Sequence, residues 1–221
     1  MPSTNELRPG LPPLPIRVAA LPIDKRGFPV PWFVSWINGE PEFRAADGQK
    51  LTQAIQEHRC WVCGQEIEDW YFAFVVGPMC AVNRISAEPP SHRECAEFSA
   101  VACPFLTRPH MRRRENDMPE GVSEPGGTML RRNPGVALLW ITRTFSTVWD
   151  RRGGKPPLFK MGAAREVVCY AEGRVATVDE IRSSVESGLP ALREIAEKQG
   201  PYAQRELDRQ VVDASRLLRI A

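Results

Sequence analysis

Cys60-Trp61-Val62-Cys63-Gly64 and Ser91-His92-Arg93-Glu94-Cys95 are the stretches on which the fold of this chain turns. They make a C-x2-C pair and an H-x2-C pair with 28 residues between them. Structural zinc takes four thiolate or imidazole ligands at the corners of a tetrahedron. Two cysteines separated by two residues fit one tight turn and fill two corners. Gly64 suits that turn, since glycine tolerates positive φ. The second pair calls for a helix. Ser91 is a good N-cap, and Glu94 three residues on completes a capping-box pattern. His92 then falls at N1 and Cys95 at N4, so both reach one ion from one helix face. The helix N-terminus also favours a thiolate over a thiol. The expected site is a structural zinc held by Cys60, Cys63, His92 and Cys95. Ordinary buried cysteines, a redox C-x2-C pair and an iron–sulfur cluster are the alternatives.

Between the pairs, Trp70 to Val76 is aromatic and β-branched and ends at Gly77-Pro78, which predicts a strand. Asn83 to Ser86 is the candidate returning strand. Knuckle, hairpin and helix, with ligands on the knuckle and the helix start, is the treble-clef order. On this reading Cys80 lies at the hairpin turn, as a substitute ligand, a candidate reactive thiol or a packed free cysteine. Cys103 follows Cys95 by eight residues. On a continuous helix that is about 12 Å along the axis, too far to share one ion.

The chain has 221 residues, enough for a real core in one or two domains. Its six cysteines are not a dense disulfide framework for that length. No apolar run is long enough to span a bilayer, and no signal peptide is evident at the start. The expectation is a cytoplasmic protein that does not enter membranes. Residues 1–26 read as an extended, proline-rich arm, and the first 41 residues hold nine of the 21 prolines. Residues 27–105 read as a hairpin, a helix and the zinc-binding module. In the hairpin, Trp32 to Ile37 leads through Asn38-Gly39, a type I′ turn signal, into Glu42 to Arg44. Asp47 is a candidate N-cap for the helix that delivers the chain to Cys60, and His58 is expected at the surface. Residues 106–130 read as a basic loop rich in glycine and proline. Residues 131–221 read as strands over Val136 to Tyr170, then helices. Thr177-Val178-Asp179-Glu180 is a second capping box. Gly188 and Pro190 are expected to break the helix it opens, with a second helix to Gln199 and a third over 202–219. The predicted class is α+β: a treble-clef-like zinc module packed with antiparallel strands and C-terminal helices.

Charge is unevenly spread. Residues 1–104 carry 9 Lys/Arg and 12 Asp/Glu, residues 105–160 carry 11 and 5, and residues 161–221 carry 9 and 10. Arginine supplies 24 of the 29 cations, and its planar fork suits phosphate and carboxylate. Arg112, Arg113, Arg114, Arg131 and Arg132 are therefore candidate contacts for nucleic acid or an acidic protein surface. Pairing with acids of the C-terminal helices, such as Glu180, Glu186 and Glu194, is the competing reading.

The run Gly77 to Cys95, with Ala102-Cys103-Pro104-Phe105-Leu106, resembles an uncharacterised family of bacterial and phage-borne proteins. Gly27-Phe28-Pro29-Val30-Pro31-Trp32 and Ala171 to Thr177 fit the same resemblance. It implies an origin on a phage or mobile element and brings no activity with it. The zinc module is similar to treble-clef fingers, which include nucleic-acid-binding proteins, protein-interaction modules and HNH nucleases, so fold analogy does not select a function. An HNH site needs a histidine on the hairpin, and none lies between Cys63 and His92. A cysteine nucleophile at Cys80 would need a base from His58, His92 or His110. The sequence thus favours a zinc-stabilised binding protein, with a Cys80-based enzyme or a degenerate HNH nuclease as alternatives.

Overall fold

The structure, a computed structural model, describes residues 5–109, 111–112, 126, 133–149 and 154–221. An extended arm carries one helical turn, α1 (Ile16–Ala19), and places Val18 in the core. Strands β1 (Val34–Ile37) and β2 (Glu40–Ala46) form the expected hairpin. Asn38 and Gly39 both take positive φ, as a type I′ turn requires. Helix α2 (Gly48–Gln56) starts where the sequence places it, with the Asp47 carboxylate accepting from the Gln49 and Lys50 amides.

The segment between the two ligand pairs departs from the expected hairpin. Strand β3 (Phe72–Val76) is followed by a short helix, α3 (Pro78–Asn83), and by a two-residue strand, β4 (Ile85–Ser86). Pro78 is at home in the first turn of α3, where its missing N–H costs nothing. Cys80 therefore sits in a helix and not at a hairpin turn. β3 meets the chain before the second ligand pair at one place only, a bridge between Ala73 and Ser91. That bridge uses Ser91 as extended backbone. The N-cap of α4 (Arg93–Ala102) is consequently His92, which lends no side-chain cap. The predicted capping box is not formed, and Glu94 turns instead to Arg17, 2.6 Å away.

α5 (Pro104–Thr107) follows α4. The remaining strands are β5 (Ala137–Thr142), β6 (Phe145–Val148), β7 (Leu158–Met161), β8 (Ala164–Ala171) and β9 (Arg174–Val175). They complete two antiparallel sheets, ordered β3-β5-β8-β9 and β4-β7-β6. β5 is the centre, and every one of its residues is buried. One face of the larger sheet carries Ala73, Leu139 and Ile141 against Ala96 and Ala100 of α4. Its other face carries Phe72, Phe74, Leu138 and Trp140 into the main core, with Phe159 and Met161 of the smaller sheet. Strand pairing and burial on two faces explain why β5 reads as a continuous apolar run.

The C-terminal helices close that core. α6 (Val178–Gln199) opens on the predicted capping box, with Thr177 and Glu180 bonded reciprocally. It is one helix of 22 residues, so the expected break at Gly188 and Pro190 does not occur. A proline inside a helix removes one backbone bond. Here Ile181 and Val185 before it and Ala196 after it are held in the same core. Gly188 lies against Met79 of α3, where an added Cβ would come within 2.8 Å of the thioether. α7 (Pro201–Leu217) follows directly after Gly200, packs against α6 and buries Leu207 and Ala214. No helix among the described residues is long and apolar enough to cross a membrane.

Candidate metal centre

The first ligand pair sits on a knuckle closed by backbone bonds. Arg59 and Glu66 form a bridge, and the Cys60 amide donates to the Gln65 carbonyl at 2.7 Å. The Gly64 amide returns to the Cys60 carbonyl at 2.8 Å, with Gly64 at φ +75°. Glycine is needed here twice over. The φ is left-handed, and a Cβ would meet the Trp32 ring at 2.5 Å. The Cys63 amide donates to the Cys60 sulfur at 3.4 Å.

The second pair arrives on the first turn of α4. The His92 amide donates to the same Cys60 sulfur at 3.3 Å. Its ring Nε2 lies 3.0 Å from the Glu66 carbonyl, and its Nδ1 lies 3.4 Å from the Cys63 sulfur. A carbonyl can only accept, so Nε2 carries a proton, and Nδ1 is the ring nitrogen that faces the sulfurs and would bind a metal. Cys95, three residues on in the same first turn, completes the group. All four ligand atoms lie within 4.8 Å of one another, and all four residues are buried. A tetrahedron with thiolate–metal arms of about 2.3 Å has edges of about 3.8 Å. Cys60, Cys63, His92 and Cys95 are thus one closed Cys3His cluster that could hold a metal ion.

Its electrostatics fit a cation. Burial opposes a charge at Cys60, but hydrogen bonds from Cys63, Cys95 and His92 hold its thiol below the ordinary range. Cys95 moves the other way, raised by its hydrogen bonds to Cys60 and Cys63 and then by burial. Burial also opposes an imidazolium at His92, yet the Cys60 and Cys63 sulfurs lift it to about 10. Three sulfurs in one buried spot cannot all ionise without a positive partner. A divalent cation supplies that charge and displaces the protons.

The other sequence candidates are scattered. Cys80 and Cys103 are both pushed up by burial, and Cys169, which no sequence pattern singles out, is raised by burial to about 11. All three favour the thiol at neutral pH. His58, expected at the surface, is half-buried. It packs among Trp70, Phe72 and Phe145, with ring centroids 5.2 to 6.0 Å away. Asn83 accepts from the Ile85 amide and is occupied in the turn after α3. His110, Arg113, Arg114, Arg131 and Arg132 lie outside the described residues, while Arg112 is exposed. A half-open cavity of about 210 Å³, lined by Arg8, Phe28, Arg108 and Glu172 among others, contains neither histidine nor cysteine. Nothing in the sequence pattern points to Arg17, which reaches the centre from 77 positions away through Glu94.

No family model, curated protein or solved structure matches this chain.

Proposed function

We propose that this chain is a zinc-stabilised binding protein, with one structural zinc in the Cys60, Cys63, His92, Cys95 cluster. The observation that carries this reading is the closure of the cluster: four soft or borderline donors, all buried, all within 4.8 Å. Catalytic zinc keeps a position open for water or substrate, whereas four protein donors fill the tetrahedron. The ion would then hold the knuckle to α4 and leave the recognition to the surface.

For that surface we favour the arginine-rich band of Arg112, Arg113, Arg114, Arg131 and Arg132, directed at nucleic acid or an acidic protein. The competing pairing with C-terminal acids is weakened by two contacts. Glu180 is held by Arg174 through two hydrogen bonds, and Glu194 is held by Lys198 at 2.6 Å. Both acids are already engaged within their own segment. An origin on a phage or mobile element, suggested by the family resemblance, belongs to the same proposal.

Elemental analysis of the purified protein tests the first half, with one zinc per chain expected. Cys60→Ser should lower both zinc content and folded yield, because metal binding and folding are linked. Iron alone, or no metal, overturns it. The second half is tested by replacing Arg112, Arg113 and Arg114 with Ala. Oligonucleotide binding at low salt should weaken, and its log–log salt slope should flatten by about one unit for each phosphate that is no longer neutralised. An unchanged melting temperature separates this from an internal structural role. A wild-type protein that binds no oligonucleotide at low salt leaves only the acidic protein as partner.

A further inference from the structure

Arg17 stands on the one turn of helix in the N-terminal arm, next to Val18, which shares a buried cluster with Cys60, Cys63 and Cys95. Its Nη1 is 2.6 Å from the Glu94 carboxylate. Glu94 lies between the two ligands of α4, so the guanidinium is brought up to the ligand-bearing turn. Its Nε is buried and has no hydrogen-bond partner among the described residues. Burial works against its charge, while Glu94 and, beyond it, the Cys63 and Cys95 sulfurs favour it.

Charge counting gives this position a meaning. A divalent ion with three thiolates and a neutral imidazole carries a net charge of about −1 by the usual ligand protonation. Glu94 adds another negative charge beside it. A buried anionic centre is costly unless a cation stands close. Arg17 is the cation that the arm delivers, and its half-buried partner Glu94 does not account for the buried Nε.

We propose that Arg17 compensates the charge of the metal–thiolate centre, and that this contact latches the N-terminal arm onto a loaded centre. Arg17 would be a positioning residue and not a ligand. The proposal rests on the zinc reading. It adds that the arm, which also packs Leu11 and Leu14 against the core, is coupled to the metal.

The test uses the full chain loaded with zinc, or with cobalt(II) for its thiolate absorption bands. Metal transfer to a chromogenic chelator is followed for wild type, Arg17→Gln, Arg17→Lys and Glu94→Gln. Loss of an outer-shell partner typically costs about 10- to 100-fold in metal affinity. Arg17→Gln should therefore release metal about tenfold faster or more, with Arg17→Lys in between. Glu94→Gln is the discriminating variant. If Arg17 matters only as half of an ion pair with Glu94, the two glutamine variants will release metal equally fast. If Arg17 serves the sulfurs, Glu94→Gln will release metal no faster than wild type, because it removes a negative charge and keeps the cation. Thermolysin cleavage within residues 5–20 should also be faster in loaded Arg17→Gln than in loaded wild type. Equal release and equal cleavage in Arg17→Gln and wild type overturn the inference while leaving the zinc site standing. A wild-type protein that takes up no zinc or cobalt removes the zinc reading and the inference together.

Discussion

Gly64 shows how much of the centre is decided by one residue. Its left-handed φ turns the knuckle, and its missing side chain lets the Trp32 ring lie where a Cβ would be. Trp32 is held in turn by its own amide, which donates to the Val62 carbonyl at 2.7 Å inside the knuckle. Gly64→Ala adds both a strained φ and an overlap with an aromatic ring. Overpacking of this kind costs about 1–3 kcal/mol, and the wrong φ adds to it. The expected outcome is a lower melting temperature together with weaker metal retention, read by thermal unfolding and metal analysis on one sample. At this scale the sequence was informative wherever spacing dictates geometry. Spacing alone brings Cys60, Cys63, His92 and Cys95 to one place, since a tight turn and a helix start each position two of them. Arg17 and the Glu66 carbonyl were not legible, because nothing local links position 17 to position 94 or marks one carbonyl among many. The ring packing of His58 was not legible for a similar reason. Its partners, Phe72 and Phe145, come from two different strands.

Among the elements, α6 has the start that was most legible and the middle that was least. Thr177 accepts from the Glu180 amide, and Glu180 accepts from the Thr177 amide and from Arg174. Arg174, the Thr177 backbone and the Thr177 hydroxyl hold the Glu180 carboxyl down at about 2, against an ordinary 4.5. The sign of the pH dependence follows. A carboxyl whose pKa is lower in the folded state adds stability above its unfolded pKa and loses it as pH falls through the folded one. The difference in melting temperature between wild type and Glu180→Gln should therefore be full at pH 7. It should shrink as pH falls from about 4.5 toward 2 and vanish below that. A difference that stays constant across that window would show that Glu180 acts through shape and not through its charge. The unbroken middle of α6 could not be foreseen, because a proline within a helix is normally a boundary signal. What overrides it is tertiary: residues on both sides of Pro190 are anchored in one core. α3 was missed for the opposite reason. At six residues it is too short to show a periodicity, and Gly77-Pro78 signals a turn as readily as a helix start.

Across the whole molecule, the segment that carries the Cys3His cluster and the C-terminal segment share one sheet. β3, which leads out of the knuckle, pairs with β5 over five residues, from Phe72 with Thr142 to Val76 with Leu138. β4 pairs with β7, and α3 packs against α6 through Met79 and Gly188. The mixed α and β class could be read from the sequence, since strand and helix patterns follow each other along the chain. The strand order could not. A local hairpin between the ligand pairs looks cheaper in loop closure than a pairing of β3 with a strand some sixty positions later. Burial reverses that preference. Pairing with β5 lets Phe72 and Phe74 join Leu138 and Trp140 on one apolar face, and each large side chain so buried contributes about 1.5–3 kcal/mol. The closure entropy of a longer loop grows only by about 0.6 kcal/mol per doubling. A direct consequence concerns the connection between α5 and β5. If a specific protease site is placed between residues 112 and 126 and cut, the covalent link between the two segments is broken but the sheet is not. The two fragments should co-elute at the size of the intact chain under native conditions and separate only in denaturant. Metal loaded onto the proposed site should be retained after the cut, because Cys60, Cys63, His92 and Cys95 all lie on the N-terminal fragment and β5 still covers their supporting strand. Fragments that part at native pH without denaturant would mean that the β3–β5 pairing does not hold the halves together, and the shared core would have to be abandoned.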